Sequence, residues 1–201
     1  MYICKLQLPK IFYNGASHGA ALNWVFYHVL NIRKPEYFSF IDHDLIPIFP
    51  TSLLAAIGNK EFYGTNRTIG KAWYVWPGFC IFKYDIIAKA KANFLPHYYG
   101  NTYLDAGGAN FLRFYKDYNP MEQYFAECKT IRLRHTDYLD GYGQYHADFI
   151  QIIDRAWLHI INGSNYAKTP DKENDVAKIL HNIPMIQDRL KGNNTTGNPL
   201  S

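Results

Sequence analysis

Lys10 to Tyr13 is a short apolar run of strand length that leads into the turn dipeptide Asn14-Gly15. Ser17 follows as a good N-cap, and Leu22, Val25, Phe26, Val29 and Leu30 recur at helical spacing, which predicts a helix from about His18 to Leu30. Lys34-Pro35 ends that helix, because a proline ring excludes the helical conformation from the residue before it. Tyr37 to Ile41 is aromatic and β-branched and reads as a strand that runs out into Asp42-His43-Asp44. After Pro47 and Pro50 a short helix is predicted over Ser52 to Ile57, closed by Gly58. Strand, helix, strand, then polar residues at the strand's carboxyl end is the order of an α/β fold, where ligands gather at such ends.

Further along, Phe62 to Gly64, Ala72 to Trp76 and Phe79 to Phe82 read as short strands around Pro77-Gly78. Helices are predicted over Asp85 to Ala92, Ala109 to Lys116 and Met121 to Glu127, with Asp105-Ala106-Gly107-Gly108 a loop into the second. Ile131 to Arg134 and Phe149 to Ile153 read as strands, and Trp157 to Ile161 is an apolar run stopped by Asn162-Gly163. Asp171 to Leu190 is helical with a break at Pro184. The last residues are Gly, Asn and Thr with little apolar content. The expected organisation is one domain over 1–190 with a disordered tail over 191–201.

Composition changes this picture little. The 17 Tyr and 13 Phe suit sugar-handling surfaces, and equally a tyrosine-rich core. The net charge of +4 is scattered, with no basic run of the kind that binds nucleic acid; it suits an anionic substrate such as a nucleotide diphosphate. Cys4, Cys80 and Cys128 form no CxxC, which argues against a disulfide framework or zinc knuckle and towards a reducing compartment. The first residues lack the apolar core of a signal peptide, and no stretch is long enough to span a membrane. A cytoplasmic location is expected, and it is compatible with peripheral association at the inner membrane face.

The sharpest chemical feature is Asp42-His43-Asp44. On a strand, alternate side chains point the same way, so the two carboxylates would face a common cation such as Mg²⁺ or Mn²⁺, with His43 on the other side. Two solvated loop acids are the plainer reading. Asp105 stands beside small residues, Gly107 and Gly108, that let a sugar approach the backbone. It could serve as a general base, bind the donor sugar or cap the following helix. His159 lies in an apolar run, as a metal ligand or a core residue.

The stretch Asn14-Gly15-Ala16-Ser17-His18-Gly19-Ala20-Ala21-Leu22-Asn23, followed by the acidic pair, resembles the helix start that precedes the DxD strand in glycosyltransferase family 2 and related GT-A-fold enzymes. Trp157-Leu158-His159 followed by Gly163-Ser164 resembles the carboxyl-end segment of such enzymes, and Trp76-Pro77-Gly78 the turn before their acceptor-side strand. Leu22 stands where that family often has Arg, and Leu104 where it has Glu. The resemblance spans roughly residues 10 to 166 and implies a GT-A-like, Rossmann-like mixed sheet flanked by helices.

The resemblance also implies site roles. Asp42, Asp44 and His159 would hold Mn²⁺ or Mg²⁺. Asn14, Gly15, His18, Asn23 and Asp42 would contact a nucleotide-sugar donor, with a UDP-sugar favoured. Asp105 would deprotonate the acceptor. Trp76, Gly78, Gly107 and Gly108 would line the side that receives a glycan or lipid-linked acceptor, and Trp76 could equally pack in the core. Few residues precede Lys10, whereas enzymes of this fold begin with further strand-helix units that hold the base and ribose. The expectation is therefore an N-terminally truncated core: a fragment, a chain completed by a separate N-terminal half, or a degenerate protein. Two other functions remain open. One is a non-catalytic carbohydrate-binding remnant of such an enzyme. The other is a metal-dependent phosphoesterase built on Asp42, Asp44, His159 and the patch of His135, Asp137, Asp140, His146 and Asp148.

Overall fold

The computed structural model describes residues 15–132, 149–160 and 172–192. The strand at Lys10 to Tyr13, Asn14, the His135 to Asp148 patch, Gly163-Ser164 and the tail beyond Gly192 lie outside the described residues. The chain groups into two compact units, Met1–Ile41 with Leu53–Ala126 and Asp42–Ser52 with Glu127–Ser201.

In the first unit, α1 (Gly15–Val25) begins before Ser17, so the expected cap lies inside the helix. The helix widens to π geometry over Phe26–Leu30 and ends in the single turn α2 (Asn31–Arg33). Lys34 stops it in a left-handed conformation, φ +44°, with its N–H on the Leu30 carbonyl at 2.7 Å and Pro35 next. β1 (Tyr37–Ile41) has the expected bounds. It pairs with β4 (Ala72–Lys83), which pairs in turn with β3 (Phe62–Ile69), giving the order β1-β4-β3. α3 (Leu53–Ile57) precedes β3 and closes at Gly58, φ +52°, as expected.

Pro77-Gly78 was expected to separate two strands, but β4 runs straight through it. The β3 register passes from Gly64↔Cys80 to Asn66↔Val75, so Trp76–Phe79 bulges opposite Thr65. Pro77 has no N–H to donate, and a bulge is where a ladder tolerates that. α4 (Tyr84–Lys89) is followed by a hairpin of β5 (His97–Tyr99) and β6 (Thr102–Leu104) that turns at Gly100, φ +60°. α5 (Asn110–Arg113) is shorter than expected. Phe114 leaves helical geometry, and the chain continues as a 3₁₀ turn over Tyr115–Asp117 that buries both Phe114 and Tyr115. The helix expected over Met121 to Glu127 is a single 3₁₀ turn, Pro120–Glu122, capped by Asn119. Met121 and Tyr124 are largely exposed, while Phe125 packs against Trp73 at 5.5 Å and Ala126 is buried beyond the turn.

The aromatic excess goes mainly into this unit's core. Phe26, Phe38, Phe62, Trp73, Phe82, Phe94, Phe114 and Tyr115 pack together, with Phe62 edge-on to Phe114 at 5.4 Å and to Tyr115 at 5.5 Å. Each fully buried ring contributes about 1.5–3 kcal/mol by removal from water.

In the second unit, β2 (Leu45–Pro47), β7 (Cys128–Arg132), β8 (Phe149–Ile153) and β9 (Trp157–Ile160) form a sheet in the order β2-β9-β8-β7. β8 and β9 turn tightly through Asp154 and Arg155, both at positive φ. α6 (Lys172–His181) and α7 (Ile183–Gly192) are separated at Asn182. Pro184 therefore sits in the first turn of α7, where its missing N–H costs nothing. Ile179 and Ile186 of these helices join Ile48, Ile150, Ile152, Leu158 and Ile160 in a second core.

The protein is thus of mixed α and β structure, with sheets flanked by helices. Every pairing among the described residues is antiparallel. The rule that ligands gather at the carboxyl ends of parallel strands does not apply to these sheets. No helix among the described residues is long and apolar enough to cross a membrane.

Candidate functional site

Asp42-His43-Asp44 is a tight turn rather than a strand end. The Leu45 N–H reaches the Asp42 carbonyl at 3.2 Å, closing the turn, so strand alternation does not carry from Asp42 to Asp44. Asp44 is held instead by β9: its carbonyl accepts from the Ile160 N–H at 3.1 Å, and Leu45 is in register with His159. This puts Asp44 Oδ1 3.7 Å from His159 Nε2, with both side chains about nine-tenths buried. Asp44 Oδ1 is buried and accepts no hydrogen bond from the described residues.

His159 is not part of the apolar cluster around it. Leu158 and Ile160 enter the second core, as do Ile150 and Ile152, so alternation places His159 and Gln151 on the opposite sheet face. There His159 Nδ1 meets Gln151 Oε1 at 2.7 Å, and Gln151 Nε2 lies 3.4 Å from Thr130 Oγ1. Thr130, Gln151 and His159 are direct cross-strand partners. Two bonds of about 2.1 Å to one cation span up to about 4.2 Å, so a carboxylate oxygen and an imidazole nitrogen 3.7 Å apart can share one. Among the described residues no three His, Cys, Asp or Glu side chains converge, so Asp42 does not join the pair in a closed ligand set.

The first unit brings together other predicted residues. Asp105 is exposed, and its Oδ1 accepts from the Ala106 N–H at 2.7 Å. Gly15, the first residue of α1, lies directly against that carboxylate: a Cβ on Gly15 would overlap Asp105 Oδ1. We expect Gly15→Ala to displace the Asp105 carboxylate, read as loss of the Ala106 amide chemical shift produced by this hydrogen bond. An unchanged shift would contradict the close approach.

Gly107 has φ +89°, and a Cβ there would lie 2.9 Å from Pro77 Cδ; one on Gly108 would overlap Leu104 Cβ. Both glycines are thus required by packing within the loop. Asn23 has its amide taken up by the chain: Oδ1 accepts from the Phe94 N–H and Nδ2 donates to Asn93 Oδ1, both at 2.8 Å. Asn110 Oδ1 accepts from the Asn93 N–H at 2.7 Å, so the three asparagines clamp this segment between α1 and α5. Trp76 carries the Arg67 guanidinium over its ring at 5.0 Å, and Gly78 backs onto the indole. His18 is half-buried on α1.

Tyr74, Gln151 and Thr130 were not anticipated. The signal for Gln151 and His159 is a single polar position in each of two apolar strands, and pairing those positions requires the register. Burial and then the nearby Asp105 charge push the Tyr74 hydroxyl up to about 12. Burial likewise raises Tyr103, Tyr115 and Tyr118. For Tyr74 the folded state holds its proton more tightly than the unfolded chain, whose tyrosines ionise near 10. Its contribution to stability is complete below pH 10 and is lost as pH rises from about 10 to 12. We expect Tyr74→Phe to flatten the fall of urea-midpoint stability across that range, and an unaltered slope would contradict the buried hydroxyl.

Comparison with family models, with curated proteins and with solved structures returned no match to this chain.

Proposed function

We propose that the protein is a metal-dependent glycosyltransferase with a GT-A-like core, in which Asp44 and His159 hold Mn²⁺, or Mg²⁺, against the diphosphate of a nucleotide-sugar donor. The observation that carries this reading is the buried Asp44 Oδ1, without a hydrogen bond, 3.7 Å from an imidazole nitrogen. A carboxylate in that position calls for a positive partner. An oxygen and a nitrogen donor together favour Mn²⁺. The resemblance of the DxD and Trp-x-His segments supplies the reaction class.

When bound, such an ion offsets the charge that develops on a leaving diphosphate. Asp44, in the turn before β2, and His159, on β9, would hold it. Transfer forms a bond between an acceptor hydroxyl oxygen and the anomeric carbon of a hexose. The bond from that carbon to the diphosphate breaks, and its electron pair departs with the nucleoside diphosphate. The hydroxyl proton passes to a general base, a role that the resemblance, and no geometry, gives to Asp105. Inversion at the anomeric carbon, a UDP-sugar donor and a glycan or lipid-linked acceptor at the cytoplasmic membrane face follow from the same resemblance.

The test is UDP release from a panel of UDP-sugars with saccharide acceptors, in Mn²⁺ and in chelator. We expect release that needs both metal and acceptor, with Asp105→Asn lowering kcat by about 10²–10⁴-fold at unchanged UDP affinity. Metal-dependent UDP binding without transfer would favour the carbohydrate-binding remnant. Turnover of a phosphodiester without acceptor would favour the phosphoesterase.

A further inference from the structure

We infer that the cleft beside α4 binds a free peptide of two or three residues, its amino group held at Glu61 and its carboxylate at Lys89 and Arg113. The inference concerns the first unit alone and does not rest on the proposed metal site.

The cleft has a volume of about 520 Å³, within the range of about 300–1,000 Å³ usual for small-molecule sites. One wall is α4, where Ile86 and Lys89 are three residues apart and so share a helix face. The other wall is the chain from Arg113 to Tyr118. Phe114 is buried in that wall, and with the half-buried Ile86 it supplies the apolar middle of the cleft.

The charges are sorted to the two ends of α4. Glu61 is at the start: its carbonyl accepts from the N–H of Lys83, the residue before α4, at 2.9 Å. The Tyr118 hydroxyl donates to the Glu61 carboxylate. Burial, then that hydrogen bond and the charges of Glu61 and Asp117, raise the Tyr118 pKa, so the phenol stays a donor and Asp117 belongs to the same end. Lys89 is the last residue of α4, and Arg113 Nη1 donates to the Lys91 carbonyl just beyond it at 2.6 Å. A helix rises about 12 Å over the interval from Lys83 to Lys91. Among the described residues none of Glu61, Asp117, Lys89 and Arg113 is in an ion pair. Lys83 turns its ammonium to the Asn59 carbonyl at 3.3 Å.

Two acids at one end, two bases at the other and apolar side chains between them select a ligand by its charge pattern. A ligand of one sign meets attraction at one end and repulsion at the other, whereas a zwitterion with its charges well separated matches both. A single amino acid is too short, because its two charges flank one carbon. Two or three residues span about 7–11 Å when extended, and a hydrogen bond at each end completes the reach. The side chain between the termini then lies on Phe114 and Ile86, which favours an apolar or aromatic residue.

The test is an NMR titration of the full chain with Ala-Phe-Ala, beside its N-acetyl, C-amide and doubly blocked forms. We expect the free peptide to shift the amides of Ile86, Lys89 and the 113–118 segment, with millimolar or tighter affinity. Acetylation and amidation should each weaken binding about tenfold or more, since each leaves a charged end unmatched. Glu61→Gln, which still accepts from Tyr118, should weaken the free peptide as much and the acetylated peptide no further. Arg113→Met should behave in the same way toward the amidated peptide. Such non-additivity assigns each end of the ligand. A doubly blocked peptide that binds as well as the free one, or no shift of these amides at millimolar peptide, overturns the inference. Acetylation coupled to Arg113→Met instead of Glu61→Gln overturns the stated orientation.

Discussion

Replacing Asp44 with asparagine should weaken Mn²⁺-dependent UDP binding on the order of a hundredfold or more, a loss of about 3 kcal/mol, and should at the same time stabilise the metal-free protein. The two effects have one cause. The wild-type carboxylate oxygen is buried, lacks a hydrogen bond and faces a ring nitrogen 3.7 Å away. An asparagine amide can donate to that nitrogen with little movement, which relieves an unsatisfied buried acceptor and removes its charge. Relief of this kind contributes about 1–2 kcal/mol, visible as a higher urea midpoint in chelator. Were Asp44 and His159 simply a buried ion pair with a protonated ring, the substitution would leave the imidazolium unpaired and the midpoint would fall. The sign of the stability change therefore separates a ligand pair from a structural one, independently of any activity.

The largest loss of stability is expected at Gly19. In an exposed helix a Gly-to-Ala change gains about 1 kcal/mol through propensity. Gly19 is buried in α1 against the chain at Phe94 and Leu95. A Cβ there would overlap the Phe94 carbonyl oxygen and lie 2.8 Å from Leu95 Cα. Both obstacles are backbone, so no side-chain rotation relieves them. They are also pinned from other directions. The Phe94 carbonyl accepts from Gly107 at 2.7 Å, and the Leu95 carbonyl accepts from Ala109 at 3.1 Å. Gly19→Ala should cost about 3 kcal/mol, and a larger side chain more. Because the strain is passed to the Gly107 loop, the Asp105 amide environment should shift as well. A neutral or stabilising Gly19→Ala, measured by urea unfolding, would show that α1 does not approach this segment so closely.

Much of the fold was legible where apolar runs coincide with strong punctuation. β1 between Pro35 and the acidic turn, α3 before Gly58, and β8 between polar stretches appear within a residue of their expected bounds. The break between the last two helices is where Pro184 requires it. What sequence could not show is where tertiary packing overrules local signals. Pro77-Gly78 is a strong breaker, yet β1 and β3 on either side of β4 carry the strand past it, and the bulge absorbs the missing donor. Ser17 has cap chemistry, but the chain is already helical at Gly15, where the absence of a side chain lets it meet Asp105. Among the described residues the strands pair antiparallel, β1 with β4, and so do not follow the α/β order that strand, helix, strand suggested.

The candidate site divides the same way. Asp44 stood out with Asp42 by spacing, but only the resemblance joined it to His159, since neither spacing nor periodicity relates residues so far apart. Gln151 and Thr130 were invisible because their significance depends on cross-strand register. Strand alternation does not relate Asp42 to Asp44, since the segment that joins them is a turn. Asn23 and Trp76, chosen as contacts for donor and acceptor, already have partners in Asn93, Phe94 and Arg67.

The most direct test is calorimetric titration of the wild-type protein with UDP in Mn²⁺ and in chelator, repeated with the His159→Asn variant. The proposed site predicts binding of UDP that requires Mn²⁺ and is lost in the variant. Absence of metal-dependent binding for UDP, GDP and TDP alike, or binding that survives loss of His159, would contradict it.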